Sequence, residues 1–191
     1  MKARTISLIV ILLLLLGTAA CGGAQDAAPA DDRNGGDAQD EASADGEAGS
    51  AASNAPVSVL EDLDGDPVAL TDFAGQIVVL NFWASWCPPC RQEMPDLDEL
   101  DKEFKESGEA VLITVNLTDG RRETKESARQ FIDENGFGFT VLFDDQGLLA
   151  SEYGISAIPQ TFVLDRNGDV AGAIIGATTK ATILKKVAAV E

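Results

Sequence analysis

The chain has no histidine in its 191 residues. That absence removes Ser-His-Asp triads, Cys-His nucleophile pairs and histidine-ligated zinc or haem as chemistries this chain could run alone. Basic residues are few: 14 Lys and Arg stand against 32 Asp and Glu, a formal charge of −18. An excess of that sign argues against nucleic acid as a partner and against electrostatic docking on anionic lipid. From Gly22 to Pro56 there is no Val, Ile, Leu or aromatic residue, only small and polar residues with eight acids and one Arg. Such a stretch cannot bury enough apolar surface to offset the entropy of ordering. It reads as a disordered acidic tether over 21–56, with an r.m.s. reach of about 30 Å.

Ahead of the tether come Lys2 and Arg4, an apolar run from Ile6 to Leu16, and small residues from Gly17 to Ala20. This is the pattern of an export signal peptide over 1–20; the apolar run falls short of the about 20 residues a spanning helix needs. Thr18-Ala19-Ala20-Cys21-Gly22 resembles the lipobox of bacterial lipoproteins, with Thr18 where a leucine is usual. The resemblance implies lipidation of Cys21 and an extracytoplasmic protein anchored to the bacterial cell membrane. The other reading is an ordinary cleavage site that leaves an unpaired thiol, a liability in an oxidising compartment. Function is then expected in 57–191, 135 residues carrying 11 bases and 24 acids, or −13. That is a normal single-domain size.

Within 57–191, Ile77 to Trp83 and Ala110 to Leu117 are buried-strand patterns, with an amphipathic helix from Cys87 to about Glu106 between them. Arg122 to Asn135 reads as a charged helix stopped by Gly136, Thr140 to Phe143 as a strand, and Leu148 to Tyr153 as a short helix. Gln160 to Asp165 and Val170 to Ile175 flank Asn167-Gly168, a hairpin signal, and a last helix is expected over Thr179 to Val190. Val57 to Leu70 adds an N-terminal hairpin around Asp64-Gly65. Alternation early and a hairpin late predict an α/β domain with a mixed central sheet covered by helices on both faces.

The chemistry is expected at Trp83-Ala84-Ser85-Trp86-Cys87-Pro88-Pro89-Cys90-Arg91-Gln92-Glu93-Met94-Pro95, where a buried strand ends and a helix begins. Cys87 falls at the N-cap, where the helix dipole and free backbone N–H groups favour thiolate over thiol. Cys90 faces the same way one turn later and can close a disulfide with it. Two bland readings compete. A zinc half-site would need two more ligands, and only Cys21 remains; a purely structural disulfide closing so small a loop would contribute little chain entropy. A redox pair is the reading that uses the motif. Pro88 and Pro89 fit the first helical turn, but each deletes an N–H that could have held the Cys87 thiolate, leaving Cys90 N–H as the main local donor. Less thiolate stabilisation makes a poorer oxidant, so the pair leans toward a reductant. Pro95 is expected to kink the helix.

The motif and its setting resemble thioredoxin-fold proteins, and among them the exported reductases of the TlpA and ResA type, over essentially all of 57–191. The resemblance implies a thioredoxin-like fold with the N-terminal hairpin as an addition, and thiol-disulfide oxidoreductase activity. It implies reduction of exported protein disulfides, apocytochrome c among them, with electrons from a membrane partner of CcdA or DsbD type. Asn81 stands where thioredoxins carry a buried aspartate; Glu93, three residues after Cys90, matches a family glutamate that would take the Cys90 proton. Ile158-Pro159 matches the family's cis proline, with the Ile158 backbone offered to a substrate strand, and Gln160 stands where threonine is common. Trp86 would screen the sulfurs, while Phe82 and Trp83 are core and Arg91 and Gln92 solvated. This reading needs no cofactor and no metal, and expects a monomer. Rivals are an oxidase working the same residues in reverse and a thiol peroxidase, since Thr71-Asp72-Phe73-Ala74-Gly75 also resembles peroxiredoxin-like chains.

Overall fold

Strand β3 (Val78–Trp83) is buried at every position, the mark of a strand with neighbours on both edges and cover on both faces. In the computed structural model, which describes residues 58–190, it pairs in parallel with β4 (Val111–Asn116) and antiparallel with β6 (Gln160–Leu164). The expected signal peptide, Cys21 and the tether lie outside the described residues. The sheet has seven strands in the order β2-β1-β5-β4-β3-β6-β7. β1 (Val59–Asp62) and β2 (Pro67–Ala69) form the N-terminal hairpin, docked through β1 on β5 (Thr140–Phe143); β7 (Val170–Ile175) closes the other end. This is the mixed sheet of a thioredoxin-like fold with an added hairpin.

Among the described residues four α-helices cover the sheet: α1 (Pro88–Ser107), α2 (Lys125–Asn135), α3 (Leu148–Glu152) and α4 (Lys180–Val187). The crossovers β3-α1-β4 and β4-α2-β5 step across the sheet in one direction, so right-handed connection puts α1 and α2 on the same face. Met94, Leu97 and Phe104 of α1, Phe131 and Ile132 of α2, and Ile183 and Val187 of α4 pack there against Val79 and Trp83. The alternate β3 residues Val78, Leu80 and Phe82 point the other way, to Leu149 of α3 and to Leu70 of a short 3-10 helix, Leu70–Phe73. Helices do lie on both faces, but three of them share one.

One local boundary moves. The helix expected from Arg122 starts at Lys125, because Thr124 caps it: Thr124 Oγ1 accepts from Ser127 N–H at 3.1 Å and Ser127 Oγ accepts from Thr124 N–H at 2.9 Å. The β6–β7 hairpin forms where expected and closes through the loop Asp165–Asp169, in which Asp165 Oδ1 accepts from Asn167 N–H and Asp169 N–H. Helix α1 runs on through Pro95, which has no N–H to offer the Arg91 carbonyl. It ends where Gly108 adopts φ 68° and donates to the Phe104 carbonyl.

Candidate active site

β3 delivers the chain to the edge of α1 through Ala84-Ser85-Trp86. A tight turn, Cys87 N–H to the Ala84 carbonyl at 3.1 Å, places Cys87 at the N-cap in extended conformation. Pro88 and Pro89 fill the first helical positions and donate nothing, so Cys87 Sγ receives one local backbone donor, Cys90 N–H at 3.3 Å. Cys87 and Cys90 are joined as a disulfide with Cα atoms 5.3 Å apart. Both are buried, Cys90 completely and Cys87 at 2% exposure, so attack from solvent meets Cys87 first.

The Ile158–Pro159 bond is cis, and the Ile158 carbonyl oxygen lies 3.8 Å from Cys87 Sγ. Trp86, Pro88, Pro89, Leu117 and the segment from Ile155 to Ile158 line an apolar groove of about 430 Å³ that opens onto Cys87. Trp86 is partly exposed, with the Arg122 guanidinium stacked 3.4 Å from its ring centroid. Phe82 and Trp83 are fully buried. Arg91 and Gln92 are exposed, with the Arg91 guanidinium 5.1 Å from the Phe131 ring centroid. Gln160 is buried at the start of β6, in register with Phe82.

Glu93 lies one helical turn beyond Cys90 and is 2% exposed. Burial pushes its carboxyl up from 4.5 to about 6, against the opposing pull of hydrogen bonds from Thr178 N–H and Asn81. Those bonds are short: Asn81 Nδ2 donates to Glu93 Oε1 at 2.8 Å and Thr178 N–H to Oε2 at 2.8 Å. Asn81 Nδ2 also donates to Thr161 Oγ1 at 3.0 Å, across the β3–β6 pair. Among the described residues, Asn81 Oδ1 and Thr178 Oγ1 have no partner. Asn81 cannot carry a proton, yet it is half of the clamp on the residue that can.

Some residues at the site carry no signal in the sequence. Thr161 and Thr178 are ordinary threonines: a strand register brings Thr161 to Asn81, 80 residues away, and a loop brings Thr178 to Glu93, 85 residues away. Glu123, which the helical pattern takes into α2, lies ahead of that helix as a fully buried carboxylate bonded to Ser85 and Asn116. Among the described residues no cluster of three or more His, Cys, Asp or Glu could hold a metal, and no helix is long and apolar enough to cross a membrane.

A disulfide at the N-cap of a helix that follows a central strand, faced by a cis proline, defines a thioredoxin-fold thiol-disulfide oxidoreductase. Comparison with known proteins makes the class particular. The AhpC/TSA family model matches residues 51–173, and the chain belongs to that family. It is similar to the thiol-disulfide oxidoreductase ResA of Geobacillus thermodenitrificans, 39% identical over 131 residues that make up 69% of this chain and 72% of that one. Among solved structures it is similar to StoA of Bacillus subtilis (28% identity, TM-score 0.62, covering 70% of this chain and 98% of that one). It is also similar to the exposed lipoprotein thioredoxin of Streptococcus pneumoniae (31% identity, TM-score 0.60, covering 69% and 98%).

Proposed function

We propose that the protein is an extracytoplasmic reductase of exported protein disulfides, apocytochrome c among them, tethered to the membrane through lipidated Cys21. The observation that carries the direction is the proline pair. With Pro88 and Pro89 silent, one backbone N–H at 3.3 Å serves the Cys87 sulfur, and a thiolate so thinly supported gives up electrons more readily than a well-stabilised one. The likeness to an exposed lipoprotein thioredoxin supports the anchor and the location.

In the reductive half-reaction the Cys87 thiolate attacks one sulfur of a substrate disulfide lying in the apolar groove. The substrate S–S bond breaks, a Cys87–substrate disulfide forms, and one substrate thiolate leaves. Cys90 then passes its proton to Glu93, and the Cys90 thiolate attacks Cys87 Sγ. The mixed disulfide breaks, the second substrate thiolate leaves, and two electrons have moved from the protein dithiol to the substrate. In this direction the bonded Cys87–Cys90 pair is the product. The cis Ile158–Pro159 segment offers main-chain groups to an extended substrate, a sequence-tolerant way to hold many disulfides. Two electrons from a membrane partner of CcdA or DsbD type return the pair to the dithiol.

The test is the reduction potential of the Cys87–Cys90 pair in the full-length chain, equilibrated in graded thiol buffers and followed by Trp86 fluorescence. A value below about −220 mV is expected, toward the thioredoxin end of a scale that runs from about −270 to about −120 mV. A value above about −160 mV would overturn the direction and make the protein a disulfide-forming oxidase. Peroxide consumption at rates matching disulfide turnover would replace both with a peroxidase.

A further inference from the structure

Glu123 is completely buried, and no step of the exchange chemistry uses it. A carboxylate out of water is costly unless its oxygens are satisfied, and here they are satisfied by the loop that carries the active site. Oε1 accepts from Ser85 N–H at 2.9 Å and Asn116 Nδ2 at 2.7 Å; Oε2 accepts from Ser85 Oγ at 2.7 Å. Ser85 is two residues ahead of Cys87, and Asn116 is the last residue of β4.

The segment that presents Glu123 is itself held from several sides. Leu117 N–H donates to the Trp83 carbonyl at 2.9 Å, the Glu123 carbonyl accepts from Asp119 and Gly120 N–H, and Asp119 Oδ1 accepts from the N–H groups of Arg121, Arg122 and Glu123. Arg122, the next residue back, stacks on Trp86. A loop built this way is a rigid bracket against the strand-to-helix turn. Packing alone would have been met by an apolar side chain; this site commits two acceptors to Ser85.

We propose that Glu123 is a positioning residue for disulfide exchange, holding Ser85 so that Cys87 Sγ stays opposed to Cys90 when no bond joins them. In the disulfide state the covalent link fixes the two sulfurs. Reduction breaks that S–S bond and adds two electrons and two protons, and the turn is then held by Cys87 N–H to Ala84, by the first turn of α1 and by the Glu123 clamp. Ring closure depends on the effective concentration of one sulfur at the other, which falls steeply when a group is held loosely. The clamp therefore acts on the dithiol and mixed-disulfide states more than on the disulfide. This goes beyond the direction proposed above, since ring closure ends the reductive reaction and its reversal begins the oxidative one.

The experiment uses the full-length chain in mild detergent with Cys21→Ser, so that the pair holds the only thiols. It is equilibrated with reduced and oxidised glutathione, in which closing the protein disulfide reduces one oxidised glutathione to two thiols, and trapped by alkylation. Glu123→Ala is expected to lower the ring-closure constant by about tenfold, raising the potential by about 30 mV, and to let the glutathione mixed disulfide accumulate. Glu123→Gln keeps an acceptor for Ser85 N–H and is expected to restore most of the constant. Ser85→Ala, which loses only the Oγ bond, should shift it in the same direction by less, and carries the test if Glu123→Ala does not fold. A purely structural role would destabilise both redox forms alike and leave the constant unmoved. Folded Glu123→Ala or Ser85→Ala with the parent's constant overturns the proposal, whatever potential the parent has.

Discussion

Glu93 is pulled two ways, since burial favours its neutral form while two hydrogen bonds favour its charge, and burial wins, leaving it at about 6. Because the folded value lies above the ordinary 4.5, the folded protein holds this proton more tightly than the unfolded chain. The stability this contributes is full below pH 4.5 and is lost as pH rises through 6; ionising Glu93 costs on the order of 2 kcal/mol at neutral pH, from about 1.4 kcal/mol per pH unit of displacement. Glu93→Gln should therefore gain stability relative to the parent between pH 5 and pH 8. The unpartnered Asn81 Oδ1 offers the amide a partner once Asn81 turns over. Urea midpoints at the two pH values check this, and an equal gap at both would contradict it. The proposed proton transfer from Cys90 needs ionised Glu93, so resolution of a mixed disulfide should slow as pH drops below about 6. At this scale the sequence is a good guide where function needs a particular atom. Cys87 and Cys90 are legible from their spacing at a helix start and Glu93 from its offset, whereas Pro159 is singled out only by the resemblance to thioredoxin-fold chains. The sequence is a poor guide to the partners around those atoms, because Thr178 reaches Glu93, and Thr161 reaches Asn81, through tertiary placement alone.

The stretch from Leu117 to Thr124 shows why element boundaries resist sequence reading. Its charges continue the polar face of α2, so periodicity extends the helix back to Arg122. Asp119 wins that competition locally, gathering three successive N–H groups onto one carboxylate oxygen. Thr124 then starts the helix with a reciprocal cap. Thr124→Ala should cost about 1 kcal/mol of stability, seen as a lower denaturant midpoint. It should leave the ring-closure constant alone, because the cap faces Ser127 rather than Ser85. A shift in that constant would mean the bracket and α2 move as one unit. Elsewhere the elements are legible because their patterns have no rival. β3 and β5 read as strands from their apolar runs, and α1 follows from a cysteine N-cap with two prolines behind it.

Across the whole molecule, charge and sheet ends decide behaviour in solution. β2 meets solvent with Pro67, which offers no N–H, whereas β7 runs Val-Ala-Gly-Ala-Ile-Ile without a charge and leaves Val170 53% and Ile175 78% exposed. Among the described residues no strand pairs with the outer edge of β7; an uncharged edge of that kind is a template for another strand, and the charge of −18 opposes its use. The chain should stay monomeric near pH 8 at low salt and associate as pH nears its isoelectric point of about 4.1. Ala173→Lys, on the exposed face of β7, should delay the onset in light scattering; an unchanged onset would place the contact elsewhere. The buried carboxylate has a wider consequence. Histidine ordinarily supplies proton exchange near neutrality, and this chain has none. The substitute proposed for it, Glu93, owes its raised value to desolvation rather than to residue identity, so that value belongs to the packing of α1, β3 and the Thr178 loop together. A core substitution that merely admits water there would detune the enzyme without touching a reacting atom, which enlarges the set of positions at which mutation and selection can reset its working pH.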